Sequence, residues 1–205
     1  MDSYLCGRKL QIPDNCRSLS NLLIDEIDIK GSHFCFKNFD SNDVIYSYPE
    51  FIQLIYKMCS LLHSRGIKPR DYVILQFESR EMFVITFWAC ILSGIIPVII
   101  EVPNEWQQSN SKLDKLMAVT QLLPQYHIIC EEGLVVQLNA LFNNSLCINV
   151  SNYSRFTSDF QVYTGIDKND TALLLFTSGS TGIPKAGQLS HLNLISATMG
   201  IIQKN

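Results

Sequence analysis

Five short apolar runs recur along the chain, "YVILQF" (72–77), "IPVII" (96–100), "HIIC" (127–130), "LCINV" (146–150) and "ALLLF" (172–176). They lack the polar alternation of a half-solvated strand, so they read as strands buried on both faces. Helical spacing occupies Glu81–Leu92, Lys112–Leu123 and a stretch around Val135 to Leu141. Strands that alternate with helices imply right-handed crossovers and a mostly parallel sheet flanked by helices, an α/β architecture. Ahead of this repeat, "LSNLLIDEI" reads as a short amphipathic helix, and "HFCFKNF" with "DVIYS" as a hairpin. Ser47 and Glu50 have capping-box spacing, and the helix they open carries Phe51, Leu54, Ile55, Met58, Leu61 and Leu62 on one face before Gly66 ends it.

Composition narrows the function. Only 17% of the residues are charged, the net charge is −3, and no basic tract appears, which argues against a groove built on nucleic-acid phosphates. The seven cysteines stand apart, without a CxxC pair or a cluster with the four histidines, so reduced thiols of a cytoplasmic protein are expected and no metal site is. The N-terminus lacks a signal-peptide core. From Phe83 to Ile100 the run "FVITFWACILSGIIPVII" has the length of a membrane span. Ser93-Gly94 and Pro97 interrupt it, so a buried helix followed by a buried strand is the reading.

The chemistry concentrates in "FTSGSTGIPKAG", 176–187, directly after the last apolar run. Gly179 and Gly182 let the backbone turn its amides toward one point. Thr177, Ser178, Ser180 and Thr181 add hydroxyl donors, Lys185 adds a compact cation, and Pro184 stiffens the approach to it. Together these form a phosphate cradle at the carboxyl end of a strand, where ligands of open α/β sheets bind. The Walker spacing is not met, because Ile183-Pro184 separates Gly182 from Lys185. A flexible Ser/Gly linker is the bland alternative.

The segment "LLLFTSGSTGIPKAGQLSHLNL" resembles the signature loop of the adenylate-forming superfamily: acyl-CoA synthetases, fatty acyl-AMP ligases, luciferases and nonribosomal peptide synthetase adenylation domains. Thr177 to Gly182, Pro184, Lys185, His191 and Asn193 match the family pattern, while Ala186-Gly187 replaces the usual Gly-Val. Weaker likeness to the family continues upstream at "YSYPEF" (46–51), and the likeness at 87–103 and 110–130 is nearest to starter adenylation domains of hybrid polyketide and peptide synthetases, close to fatty acyl-AMP ligases. The resemblance covers 18–205, with 1–17 as a lead-in.

It implies the N-terminal part of the family's large domain, truncated, and a reaction that joins a carboxylic acid to AMP with release of pyrophosphate, followed by transfer to a carrier-protein or CoA thiol. ATP and Mg²⁺ are implied, with Thr177, Ser178, Gly179, Ser180, Thr181, Gly182 and Lys185 on the phosphates. Lys185 and His191 are the candidate catalytic residues; His191 is either near the substrate pocket or a helix-capping and packing residue. The family's remaining segments have no counterpart before Asn205, so a fragment not competent alone, completed by a downstream synthetase polypeptide, is expected. A dead remnant or binding module that docks a synthetase or carrier is the alternative. The bulk of "FWACIL" (87–92) and the starter-domain likeness favour a fatty or short acyl group over an amino acid.

Overall fold

The structure, a computed structural model, describes residues 11–12, 16–24, 33–37, 42–142, 147–177 and 184–202. The expected lead-in thus lies largely outside the described residues, as do the ends of "LSNLLIDEI" and "HFCFKNF". Helix α1 (Leu19–Ile24) precedes an antiparallel hairpin of β1 (His33–Phe36) and β2 (Val44–Ser47). Helix α2 (Tyr48–Ser64) follows at once. Its capping box is complete: Ser47 N–H donates to Glu50 Oε2 at 2.8 Å and Glu50 N–H donates to Ser47 Oγ at 3.4 Å. Gly66, at φ 79°, takes the left-handed turn that ends it.

Then come β3 (Tyr72–Gln76), α3 (Arg80–Leu92), β4 (Ile96–Ile99), α4 (Ser111–Leu122), β5 (Tyr126–Cys130), α5 (Val135–Leu141), β6 (Cys147–Asn149), β7 (Thr171–Thr177), β8 (Lys185–Ser190) and α6 (His191–Ile202). Six of the strands make one sheet in the order β6-β5-β3-β4-β7-β8, parallel throughout except for β8. The path from β3 to β4 steps one way and the path from β4 to β5 steps back across β3. Crossovers of one hand then require α3 and α4 on opposite faces, and the core is divided accordingly. Val73, Leu75 and Ile129 pack with α2 and α3, whereas Ile74, Val98 and Ile128 pack with Leu116, Val119 and Leu138 of α4 and α5.

The uncharged run 83–100 resolves into α3 and β4, and among the described residues no helix is long and apolar enough to cross a membrane. Pro97 stands inside a central strand, which the ladder normally forbids. Ile96 N–H donates to Asp71 O at 2.9 Å, so the next nitrogen faces β7, where pairing starts only at Val98 with Leu174. Proline therefore removes no bond. The "FWACIL" segment lies within α3, where Ala89, Cys90, Ile91 and Leu92 are buried and Phe87 and Trp88 pack half-buried against the core, so its bulk is accounted for by packing.

The polar connector 154–170 runs as an extended strap after one 3₁₀ turn at Tyr153–Arg155. Tyr163 fastens it: its N–H donates to Leu92 O at 2.9 Å, and its ring covers Gly94, where an added Cβ would stand 2.5 Å from Tyr163 Cδ1. Gly94 also needs its φ of 69°. Gly94→Ala is expected to lower stability by about 1–3 kcal/mol, through backbone strain and displacement of the ring; urea unfolding measures it.

Candidate functional site

Strand β7 carries the cradle's entrance. Its alternation puts Leu174 and Phe176 in the core with α4 and α5, and leaves Thr177 exposed at the carboxyl end. The segment after the glycine loop was given no element in the sequence reading. It is instead a six-residue strand, β8, that returns antiparallel along β7. Thr177 is the register partner of Lys185, Phe176 of Ala186, and Leu175 of Gly187. Directly opposed residues share a face, with Cβ atoms about 5 Å apart. The exposed Thr177 hydroxyl and the exposed Lys185 ammonium thus start from the same side at the mouth of the hairpin, with buried Pro184 just before the lysine. Ser178, Gly179, Ser180, Thr181 and Gly182 lie outside the described residues. Lys185 makes no ion pair among the described residues.

His191 is not brought to this end. Thr171, at the amino end of β7, pairs with Ser190, so His191 begins α6 about 20 Å from Lys185, at about 3.3 Å per strand residue. It is 3% exposed, its Nδ1 accepts the Leu19 N–H at 3.1 Å, and its own N–H donates to Asp170 O at 3.1 Å. This is the packing role left open by the sequence: the imidazole ties α1 to the start of α6. Asn193 has a similar local cause, since its Oδ1 accepts the Ser190 N–H at 3.0 Å while Ser190 Oγ accepts the Asn193 N–H at 3.2 Å. The reciprocal cap fixes where α6 begins.

Burial lowers the His191 pKa, against a smaller opposing pull from Asp170. The folded state therefore holds the neutral ring, while the unfolded chain takes up a proton near the usual value of about 6.5. Stability is fully present above that value and is lost as pH falls below it. Unfolding curves from pH 7.5 to 5 should show this loss, and His191→Gln should flatten it.

Sequence reading missed Gln76, a fully buried polar residue that ends β3. Its Nε2 donates to Leu75 O at 3.0 Å and Ile100 O at 3.3 Å, stapling β3 to β4 just beyond their ladder. Its only sequence signal is one amide in an apolar run. Burial pushes the Cys59 and Cys130 thiols up to about 12 and Cys147 up to about 11, so these three stay protonated at neutral pH. Among the described residues no group of three or more His, Cys, Asp or Glu could hold a metal ion.

Known proteins are similar to this chain in sequence and in fold. The nonribosomal peptide synthetase GRA1 of Gibberella zeae is 27% identical over 152 residues, 74% of this chain and 2% of that protein. The crotonobetaine/carnitine–CoA ligase of Escherichia fergusonii is 27% identical over 162 residues, 73% of this chain and 31% of that protein. Among solved structures, McyG A-PCP complexed with phenylalanyl-adenylate superposes with a TM-score of 0.86 and 31% identity, over 96% of this chain and 32% of that one. A fatty acid AMP ligase from Legionella pneumophila shares the fold at a TM-score of 0.77 and 24% identity, over 92% of this chain and 33% of its own. The chain thus spans a third or less of each of these relatives. The model of the family described as AMP-binding enzyme matches residues 31–205. With that match across most of its length, and with the glycine loop's two ends paired at the carboxyl edge of the sheet, the chain belongs to the AMP-binding enzyme family.

Proposed function

We propose that this chain is the part of an adenylate-forming ligase that grips the polyphosphate tail of ATP. The observation that carries the reading is the pairing of Thr177 with Lys185, which sets at the mouth of the glycine loop a hydroxyl donor and an ammonium that makes no ion pair among the described residues. When bound, ATP supplies the adenylyl group that activates a carboxylic acid, with pyrophosphate as the leaving group. The chain's own contribution is electrostatic and positional. Lys185 neutralises phosphate charge, Thr177 donates a hydrogen bond, and the ladder behind them holds both without reorganisation. In this reading Ser178 to Gly182 complete the cradle with hydroxyls and amides, and Mg²⁺ arrives on the polyphosphate.

The same reading gives the chain an acid substrate, an acceptor thiol on a carrier protein or CoA, a domain that starts near residue 18, and a cytoplasmic location. Support for the acid and acceptor comes from the relatives, one a CoA ligase and one an A-PCP structure holding phenylalanyl-adenylate. A fatty or short acyl group remains the acid favoured by the sequence, although α3 absorbs the bulk that suggested it. The test is Mg²⁺-dependent exchange of labelled pyrophosphate into ATP by the full protein, across fatty, short-chain and amino acids. Exchange with one class is expected; none with any acid overturns the reading.

A further inference from the structure

A cavity of about 240 Å³ opens at the amino ends of the strands. Tyr72, Ile96 and Thr171, the first residues of β3, β4 and β7, line it together with Arg70, Asp170 and His191. The glycine loop leaves the other end of β7, about 20 Å away. The space equals about eight waters, which suits a molecule of a few heavy atoms. His191, 3% exposed, is part of the wall. Its Nδ1 accepts the Leu19 N–H, so the neutral ring carries its proton on Nε2. That second N–H has no hydrogen-bond or ion-pair partner among the described residues. A donor held in the interior without a partner costs free energy that a bound acceptor recovers. Arg70 and Asp170 are the two charged lining residues, 3.5 Å apart as an ion pair. Asp170 Oδ2 also accepts the Asp167 N–H at 3.0 Å, which fixes the carboxylate. Arg70 stands at φ 73°, the one positive φ outside glycine among the described residues, and its N–H donates to Gly94 O at 2.7 Å. Asparagine or glycine takes such a backbone more readily, so nothing in the turn itself calls for arginine.

We infer that this cavity is a second ligand site, separate from the polyphosphate end, for a small zwitterion: an ammonium and a carboxylate on one carbon, as in a free α-amino acid with a short side chain. A lone anion here meets the Asp170 carboxylate and a lone cation meets the Arg70 guanidinium, whereas a zwitterion pairs with both. The carboxylate accepts from His191 Nε2 and from Arg70, and the ammonium donates to Asp170. The two nitrogens of His191 then have separate uses, Nδ1 to tie α1 to α6 and Nε2 to hold the ligand.

Three probes of similar size separate the charges: alanine, propionate and ethylamine, each titrated into the full protein by calorimetry and followed at the imidazole nitrogen signals of His191. Alanine is expected to saturate, to move the Nε2 signal, to bind more tightly than either of the others, and to keep its affinity in saturating pyrophosphate. Arg70→Asn should weaken alanine about tenfold, the low end for hydrogen bonds to charged groups. Its unfolding midpoint should hold or rise, because asparagine accepts a positive φ more readily. Asp170→Asn, which keeps an acceptor for the Asp167 N–H, should weaken alanine about fivefold, the size of one partly exposed ion pair. An ion pair that serves the fold alone predicts the reverse, a lower midpoint in Arg70→Asn with alanine affinity unchanged. The proposal is overturned by that result, by a His191 signal that no probe moves, by propionate or ethylamine binding as tightly as alanine, or by displacement by pyrophosphate.

Discussion

Lys185→Met lowers ATP–pyrophosphate exchange by about 10²–10³-fold, the usual loss when one preorganised charge on a transferring phosphoryl group is removed, while the unfolding midpoint stays where it was. The two halves of this expectation have different causes. Lys185 is exposed and makes no ion pair among the described residues, so the fold loses nothing when its ammonium goes. Its backbone sits in the ladder opposite Thr177, so the replacement side chain starts from the same place, and only the charge differs. Lys185→Arg is expected to recover part of the exchange, since a planar guanidinium restores the charge but not the compact point that an ammonium presents. Unchanged exchange in Lys185→Met would remove the lysine from the proposal.

The second large effect is structural. Phe51→Ala should cost about 3–5 kcal/mol, the range for emptying a well-packed aromatic site. Phe51 is fully buried on α2, stacked on Phe34 of β1 at a centroid distance of 4.0 Å and near Phe36 at 6.1 Å. The hairpin has only four residues per strand and meets the rest of the fold mainly through α2, so one ring fixes both its docking and part of the main core. Denaturant midpoints measure the loss, with Ile52→Ala, on the half-buried side of the same helix turn, as the smaller comparison.

Much of the scaffold was legible because its signals are local. Ser47 and Glu50 announce α2 through hydrogen bonds that span three residues, and β3, β4 and β5 are short enough and apolar enough that no other element suits them. Three features were not legible. Strand β8 has exposed residues from Lys185 to Gln188, and a solvated edge strand carries no apolar pattern to read. The strand order, with β5 on one side of β3 and β4 on the other, depends on which helix covers which face, a tertiary matter. His191 was matched by the same family pattern as Lys185, with a packing role left open, and the six residues of β8 set the two apart. Its partner is Leu19, 172 positions away, a contact that no local spacing announces. Within the candidate site, the residue types were readable, but the pairing of Thr177 with Lys185 required the ladder.

The hairpin of β7 and β8 is anchored at its root, where Asp170 receives the His191 amide and Asn193 caps the helix, and beyond a bulge at Thr171–Leu173 its two arms stay paired as far as Thr177 and Lys185. A jaw held this way separates the two residues at its mouth from the contacts of its hinge. Thr177 and Lys185 stand about 20 Å from that root, so substitutions of these two exposed side chains can retune what is grasped without renegotiating how the protein folds.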